Sequence, residues 1–518
     1  MNGGIKLENN IQKMHEKPPY GMISILFFGA FVALLNNTLL NIALPSIMTE
    51  FSVKPSQAQW LTTGYMLVNG IMIPASAFFI QKFTNRKLFI TAMILFTLGT
   101  AAAIFAPNFG LLVAARMLQA SGSALMMPLL MNVMLAAFPI EKRGTAMGVF
   151  GLVMFTAPAI GPTLSGWIVE HYSWRTLFVI ILPFAIITII FALFKFRNIT
   201  PNREVSLDFF SLVLSSIGFG GLLYGFSSAG DQGWDAPIVY GTIIIGAISL
   251  IAFIVRQLKM KDPMLDFRIY KHPMFALASA ISIVLSIAMF SGMILTPLYV
   301  QEVRGISPFH SGILMLPGAI VMGIMSPITG RLFDKYGART LAITGLAITV
   351  VTTFYLSRLS VDSGYYYLMM IYTVRMFGMS MVTMPIMTNG LNQLPMHSNP
   401  HGTAMNNTLQ QVSGAIGSAL LLTVMTKRME KSGAELAQSA AAAGQLPTDP
   451  AAIATMQEEL GKQAMLDGIN FSFFVATIIA IVALIMTFFV KRVMPPKFKT
   501  ENNATEENME QNKGTAQD

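Results

Sequence analysis

Runs of roughly 20 apolar residues, separated by short polar and basic loops, recur along most of the chain. As a helix, such a run spans the roughly 30 Å hydrocarbon core of a bilayer. Within hydrocarbon every backbone N–H and C=O needs an internal partner, which leaves helices or closed barrels. Barrel strands would alternate over about ten residues, and these runs do not alternate. An all-α integral membrane protein is expected. Only 11% of the 518 residues are charged, against about 25% in soluble domains.

About fourteen spans are expected, starting near residues 21, 58, 88, 110, 144, 176, 209, 236, 275, 309, 340, 365, 402 and 469. The basic segment before residue 20 resembles the start of a signal peptide. The apolar run behind it continues from Gly21 to Leu44 without a small-residue cleavage site, so it reads as a retained first span. With alternate loops assigned to opposite sides, 24 of the 34 Lys and Arg fall on one side, 8 on the other and 2 inside spans. Cytoplasmic loops carry the excess of basic residues, so both termini are expected in the cytoplasm. The same bias accounts for the net charge of +9 without nucleic acid. No cysteine is present, which removes disulfides, thiolate metal sites and Cys nucleophiles.

Three pairs of segments match in the same order. IQKFTNR (80–86) matches FDKYGAR (333–339). RMLQASGSALMMPLLMN, from Arg116, matches RMFGMSMVTMPIMTN, from Arg375. RGTAMG followed by PAIGP (143–162) matches HGTAMN followed by GAIGS (401–418). The chain therefore reads as two similar halves. A cytoplasmic tail, 1–20, precedes a six-helix bundle at 21–197. Two extra central helices occupy 208–256. A second six-helix bundle, 275–490, includes a long extracellular loop, 428–468. A cytoplasmic tail, 491–518, is polar and expected to be disordered. Two related bundles around a midplane site are the architecture of a secondary transporter.

Several side chains stand out against this apolar background. Arg116 lies about 9 Å inside the fourth span at 1.5 Å per residue, with Gln119 on the same face, and Arg375 repeats the placement in the twelfth. Intramembrane arginines mark functional sites unless they snorkel to an interface. In GRLFDKYGAR, Gly330 and Gly337 suit a tight helix–loop–helix turn. Asp334, Lys335 and Arg339 can pair with one another or with a helix end across the bundle interface, latching one conformation. The first-half copy has Gln81 where Asp334 stands. Pro158, Gly161, Pro162 and Gly166 mark a candidate conformational hinge in the fifth span, or a packing motif.

Amides are frequent in the spans, and no carboxylate falls at mid-depth. Asn36, Asn37 and Asn41 in the first span, with Asn406, Asn407, Gln410 and Gln411 in the thirteenth, are candidates to line an uncharged polar cavity. Hydrogen bonding between helices is the alternative. Trp60, Tyr65, Asn69, Asn132 and Asn389 are further cavity candidates. His397 and His401 lack a third ligand, and no metal or other cofactor is expected.

Arg116, Gln119 and Gly122 in an R-x-x-Q-x-x-G pattern, APAIGPTLSG (157–166), GRLFDKYGAR and WRTLF (174–178) resemble motifs of the major facilitator superfamily. Together with fourteen spans, LLNNTLLNIALP (34–45) and HGTAMNNTLQQVSGAIGSAL (401–420), they are similar to its 14-helix drug:proton antiporter branch. The lincomycin-resistance type of bacterial multidrug exporter is the most similar. The resemblance implies export of small amphiphilic compounds by alternating access in exchange for protons. It implies a monomer in the bacterial cytoplasmic membrane, with no catalytic residues. Many members of this branch have an aspartate in an L-D-x-T pattern where this chain has Asn36. An amide cannot take up a proton. A carrier of an endogenous metabolite or lipid, not coupled to protons, is the alternative. No HExxH, GxSxG or P-loop is present to support a membrane enzyme.

Overall fold

The computed structural model describes residues 18–53, 55–58, 60–196, 198–199, 208–442 and 450–493. Most of both expected tails, and the centre of the long loop, lie outside them. So do the side chains of Asn41 and Pro162. The described residues are helical, without strands. The first six long helices are α1 (Tyr20–Phe51), α2 (Trp60–Lys82), α3 (Asn85–Ile104), α4 (Phe109–Ala137), α5 (Arg143–His171) and α6 (Arg175–Lys195). The extra pair is α7 (Phe209–Gln232) and α8 (Pro237–Lys259). The second half comprises α9 (Pro273–Leu298), α10 (Pro308–Tyr336), α11 (Ala338–Leu356), α12 (Tyr365–Ser380), α13 (Thr383–Asn392), α14 (Asn399–Ala442) and α15 (Pro450–Thr487). Helices α12 and α13 are two segments of one span, Tyr365–Asn392.

Among the described residues, thirteen helices are long and apolar enough to cross a membrane. The fourteenth span is α2, which bends by 54° between Trp60–Met72 and Ala75–Lys82. Pro74 lies at the break, where a missing N–H interrupts the backbone ladder. The exterior is apolar, as lipid requires. Helix α8 exposes Ile244, Ile248 and Ile251 on one face and buries Gly246, Ser249 and Phe253 on another.

The two halves meet along two seams. One is α5 against α10, the other α2 against α14. In the repeat, α10 corresponds to α2 and α14 to α5, so each seam is the counterpart of the other. The extra helix α7 packs on both α2 and α14. Helices α14 and α15 pack together along the long-loop extension, where Ser432 donates to Asp467 at 2.5 Å. The WRTLF segment ties the first bundle at the end away from the termini. Glu50, at the foot of α1, accepts from Trp174 Nε1 at 2.6 Å and from Arg175. The Arg175 hydrogen bond holds the Glu50 carboxyl below its ordinary range.

The turn between α10 and α11 is made at Gly337, with φ +80°, a conformation that suits glycine. Gly330 is not part of that turn, contrary to the expectation from sequence. It lies inside α10, against Gly144 of α5, where an added Cβ would overlap the Gly144 carbonyl. Glycine at both positions lets the two backbones touch.

Candidate functional site

A cavity of about 260 Å³ lies at mid-depth between the bundles. Its polar lining includes Asn37 (α1), Tyr65 and Asn69 (α2), Ser123 (α4), Ser282 and Ser286 (α9), and Asn407, Gln410 and Gln411 (α14). Met126, Met127, Met154, Met289, Met384 and Phe290 supply apolar surface. Methionine adapts to differently shaped ligands. No Asp or Glu lies among these described lining residues.

Asn37, Tyr65, Asn69, Asn407, Gln410 and Gln411, candidates from the sequence, thus share one cavity. Asn36 does not line it. Its side chain is buried and donates from Nδ2 to Gln119 Oε1 at 3.2 Å. Asn36 and Asn37 are adjacent on a helix, about 100° apart, so only one of them can face the cavity. Asn406 is displaced in the same way from Asn407 and is buried outside the lining. Trp60 stays partly exposed, its ring 5.7 Å from that of Tyr224 on α7. Asn132 is buried in α4 outside the lining. Asn389 fixes the chain after α15, donating to the Lys491 carbonyl at 3.0 Å and accepting from Val493 N–H at 3.1 Å. Ser282 and Ser286, four residues apart on α9, were legible as a polar face but easily passed over, because single serines cost little in an apolar helix.

Arg116 is buried just behind the cavity wall. It donates from Nη1 to Gln119 Oε1 at 2.7 Å and from Nη2 to Asn37 Oδ1 at 3.4 Å. Its guanidinium lies 4.4 Å from the centre of the Tyr65 ring, a cation–π arrangement. Gln119 in turn donates to Thr100 Oγ1 at 2.7 Å. Arg375 is also fully buried. It donates from Nε to Thr353 Oγ1 at 3.1 Å and from Nη2 to Ser291 Oγ at 3.0 Å and to the Ala288 carbonyl. Neither guanidinium has a carboxylate partner among the described residues. Buried charges are normally paired, so these two impose a positive environment on the core of each bundle.

The end of the molecule that carries the termini, the basic end, is closed by contacts across both seams. On the α5/α10 seam, Asp334 accepts from the backbone N–H groups of Gly144 and Thr145, both at 2.9 Å, and from Thr145 Oγ1 at 2.7 Å. The carboxylate thus caps the N-terminus of α5, where unpaired N–H groups and the helix dipole favour an anion. Arg143 Nη1 donates to Asn392 Oδ1 at 3.3 Å beside it. On the α2/α14 seam, the Gln81 and His401 Nε2 atoms are 3.2 Å apart. Arg339 does not join Asp334. It is exposed and enters no hydrogen bond or ion pair among the described residues. Arg492, from beyond α15, instead donates to the Asp334 and Lys335 carbonyls at 2.7 and 3.3 Å.

In the proposed hinge segment, α5 runs without interruption past Pro158 and Gly166. Gly161 is pressed against Thr38 of α1, and Ser165 donates to the Leu39 carbonyl. The sharp bend among the described helices lies in α2.

Two repeated helical bundles around a midplane cavity, meeting along two related seams, define a multi-pass membrane transporter rather than an enzyme. A family model described as Major Facilitator Superfamily matches residues 26–418, and the chain belongs to that superfamily. The uncharacterized MFS-type transporter YhcA of Bacillus subtilis (strain 168) is 46% identical over 514 residues, covering 94% of this chain and 96% of that protein. The lincomycin resistance protein LmrB of the same organism is 43% identical, covering 91% and 95%. Among solved structures, the human organic anion transporter MFSD10 (TETRAN) matches with a TM-score of 0.64 over 91% of this chain and 99% of that one. At 12% identity it shows the fold alone.

Proposed function

We propose that this transporter exports small amphiphilic compounds by alternating access, in exchange for protons, across a bacterial plasma membrane with both termini in the cytoplasm. The cavity carries this reading: both bundles build its walls at mid-depth, and its lining combines amides with methionines. Such a surface suits ligands that vary in shape. One chain completes the cavity, which supports a monomer. The similarity to a lincomycin resistance protein makes lincomycin a first substrate to test. Pro158, Gly161, Pro162 and Gly166 are the proposed bending segment of α5. With no carboxylate among the described lining residues, proton exchange rests on Asp334. Protonating it removes the anion from the α5 N-terminus and loosens closure of the basic end.

Inverted vesicles with an imposed pH gradient and no ATP test the reading. Uptake of lincomycin or of at least one among anionic, neutral and cationic amphiphilic dyes is expected, collapsing when a protonophore is added. Uptake indifferent to the gradient would remove proton exchange, and no uptake above vesicles lacking the protein would remove the exporter.

A further inference from the structure

The cavity's electrostatics bear on what it accepts. No acidic side chain stands among its described lining residues, while a buried guanidinium backs the wall on each side. Arg116 lies behind Asn37 and Tyr65. Arg375 lies on the far side of α9 from the cavity, bonded to Ser291 and the Ala288 carbonyl and packed against Gly292.

Hydrogen-bond polarity points the same way. Asn37 turns its Oδ1 toward Arg116, so its amide N–H groups are the atoms left for a ligand. Asn407 lines the cavity and is more than nine-tenths buried, and its Nδ2 has no acceptor in the protein. The wall therefore offers donors backed by positive charge. A buried donor left without an acceptor is costly, and a bound anion would give the Asn407 amide one.

We infer that the cavity selects amphiphiles carrying an acidic group, with an anionic oxygen held by Asn37 and Asn407 in the field of Arg116 and Arg375, and that it discriminates against organic cations. This inference rests on the exporter reading and specifies its substrate class. An ammonium ligand would lose hydration in the cavity without gaining a counter-charge.

One fluorescent scaffold in three charge states tests it. Dansylglycine carries a carboxylate, dansylglycinamide is neutral, and N-(2-aminoethyl)dansylamide carries an ammonium. Binding to the purified full-length chain in phosphatidylcholine nanodiscs is measured by dansyl fluorescence, and uptake in inverted vesicles. The carboxylate should bind at least about tenfold tighter than the ammonium. Asn407→Asp, nearly isosteric, should reverse that order while leaving the neutral probe bound. If Asn407→Asp does not fold, Asn407→Ala must weaken binding of the carboxylate relative to the carboxamide. An ammonium bound as tightly as the carboxylate overturns the inference, as does an order unmoved by these variants. Uptake of all three probes without discrimination also removes it and leaves the exporter standing. Binding and transport of none of them also removes the inference, while the exporter is decided by uptake of lincomycin and the dyes.

Discussion

Gln81 and His401, the repeat counterparts of Asp334 and Arg143, approach within 3.2 Å on the α2/α14 seam, where the other seam sets Asp334 on the start of α5. The closure of the basic end is thus built twice, once with a carboxylate on a helix N-terminus and once with an amide and an imidazole. The two seams share a geometry but not a strength, because an anion at a helix N-terminus gains from the dipole as well as from its hydrogen bonds.

Adding the missing charge should therefore strengthen closure. Gln81→Asp would place a carboxylate opposite His401 and the start of α14. We expect transport in inverted vesicles to slow by about tenfold, corresponding to about 1.4 kcal/mol of extra stability in the closed state. An unchanged rate would show that the second seam does not limit turnover.

Removing the existing charge should act in the opposite sense on the equilibrium, and more strongly than disrupting its neutral counterpart. Asp334→Asn keeps one acceptor and loses the anion. Hydrogen bonds to charged groups are worth about 1.5–3 kcal/mol, so a drop in transport of at least about tenfold is expected. Gln81→Ala should cost far less. Similar losses in the two variants at equal membrane abundance would contradict a one-sided latch.

The seam also depends on backbone contact. A Cβ at Gly330 would overlap the Gly144 carbonyl, and one at Gly144 would lie 2.6 Å from the Gly330 carbonyl. Gly330→Ala should hold the basic end apart and abolish transport without lowering abundance. Transport in inverted vesicles beside membrane abundance checks this, and normal transport by Gly330→Ala would show that the backbone contact is not required.

Arg116 bridges Gln119 and Asn37 while lying on Tyr65. A lysine ammonium cannot reproduce that planar fork. Arg116→Lys should impair transport nearly as much as Arg116→Ala, by about tenfold or more. Full activity in the lysine variant would mean that charge alone is needed there.

The adjacent asparagines should separate by readout. Asn36 is bonded to Gln119 and Asn37 faces the cavity. Asn36→Ala should lower thermal stability, by about 1 kcal/mol for the lost buried hydrogen bond, and leave the ranking of transported compounds intact. Asn37→Ala should change the ranking. Dye-panel transport beside thermal unfolding of the purified variants distinguishes the two, and a reversed pattern would reassign the cavity wall.

Much of this molecule was legible in the chain itself. Span length and apolarity follow from the thickness of hydrocarbon, so the helices could be counted before any were seen. The repeat announced two related bundles, and the polar residues of α2 and α14 announced amides at mid-depth. Which amide faces the cavity was decided only by tertiary structure. A helix turns about 100° per residue, and Asn36 and Asn37 diverge according to how α1 is rotated against α4. The partner of Asp334 was likewise left open. Lys335 and Arg339 are its neighbours in sequence, but packing of α10 against α5 brings the backbone N–H groups of Gly144 and Thr145 to it instead. Gly330 read as a turn residue because glycine permits turns, and became a point of helix contact because glycine also lacks a side chain. Composition and periodicity report what a residue can do, and the rotation and approach of neighbouring helices select among those possibilities.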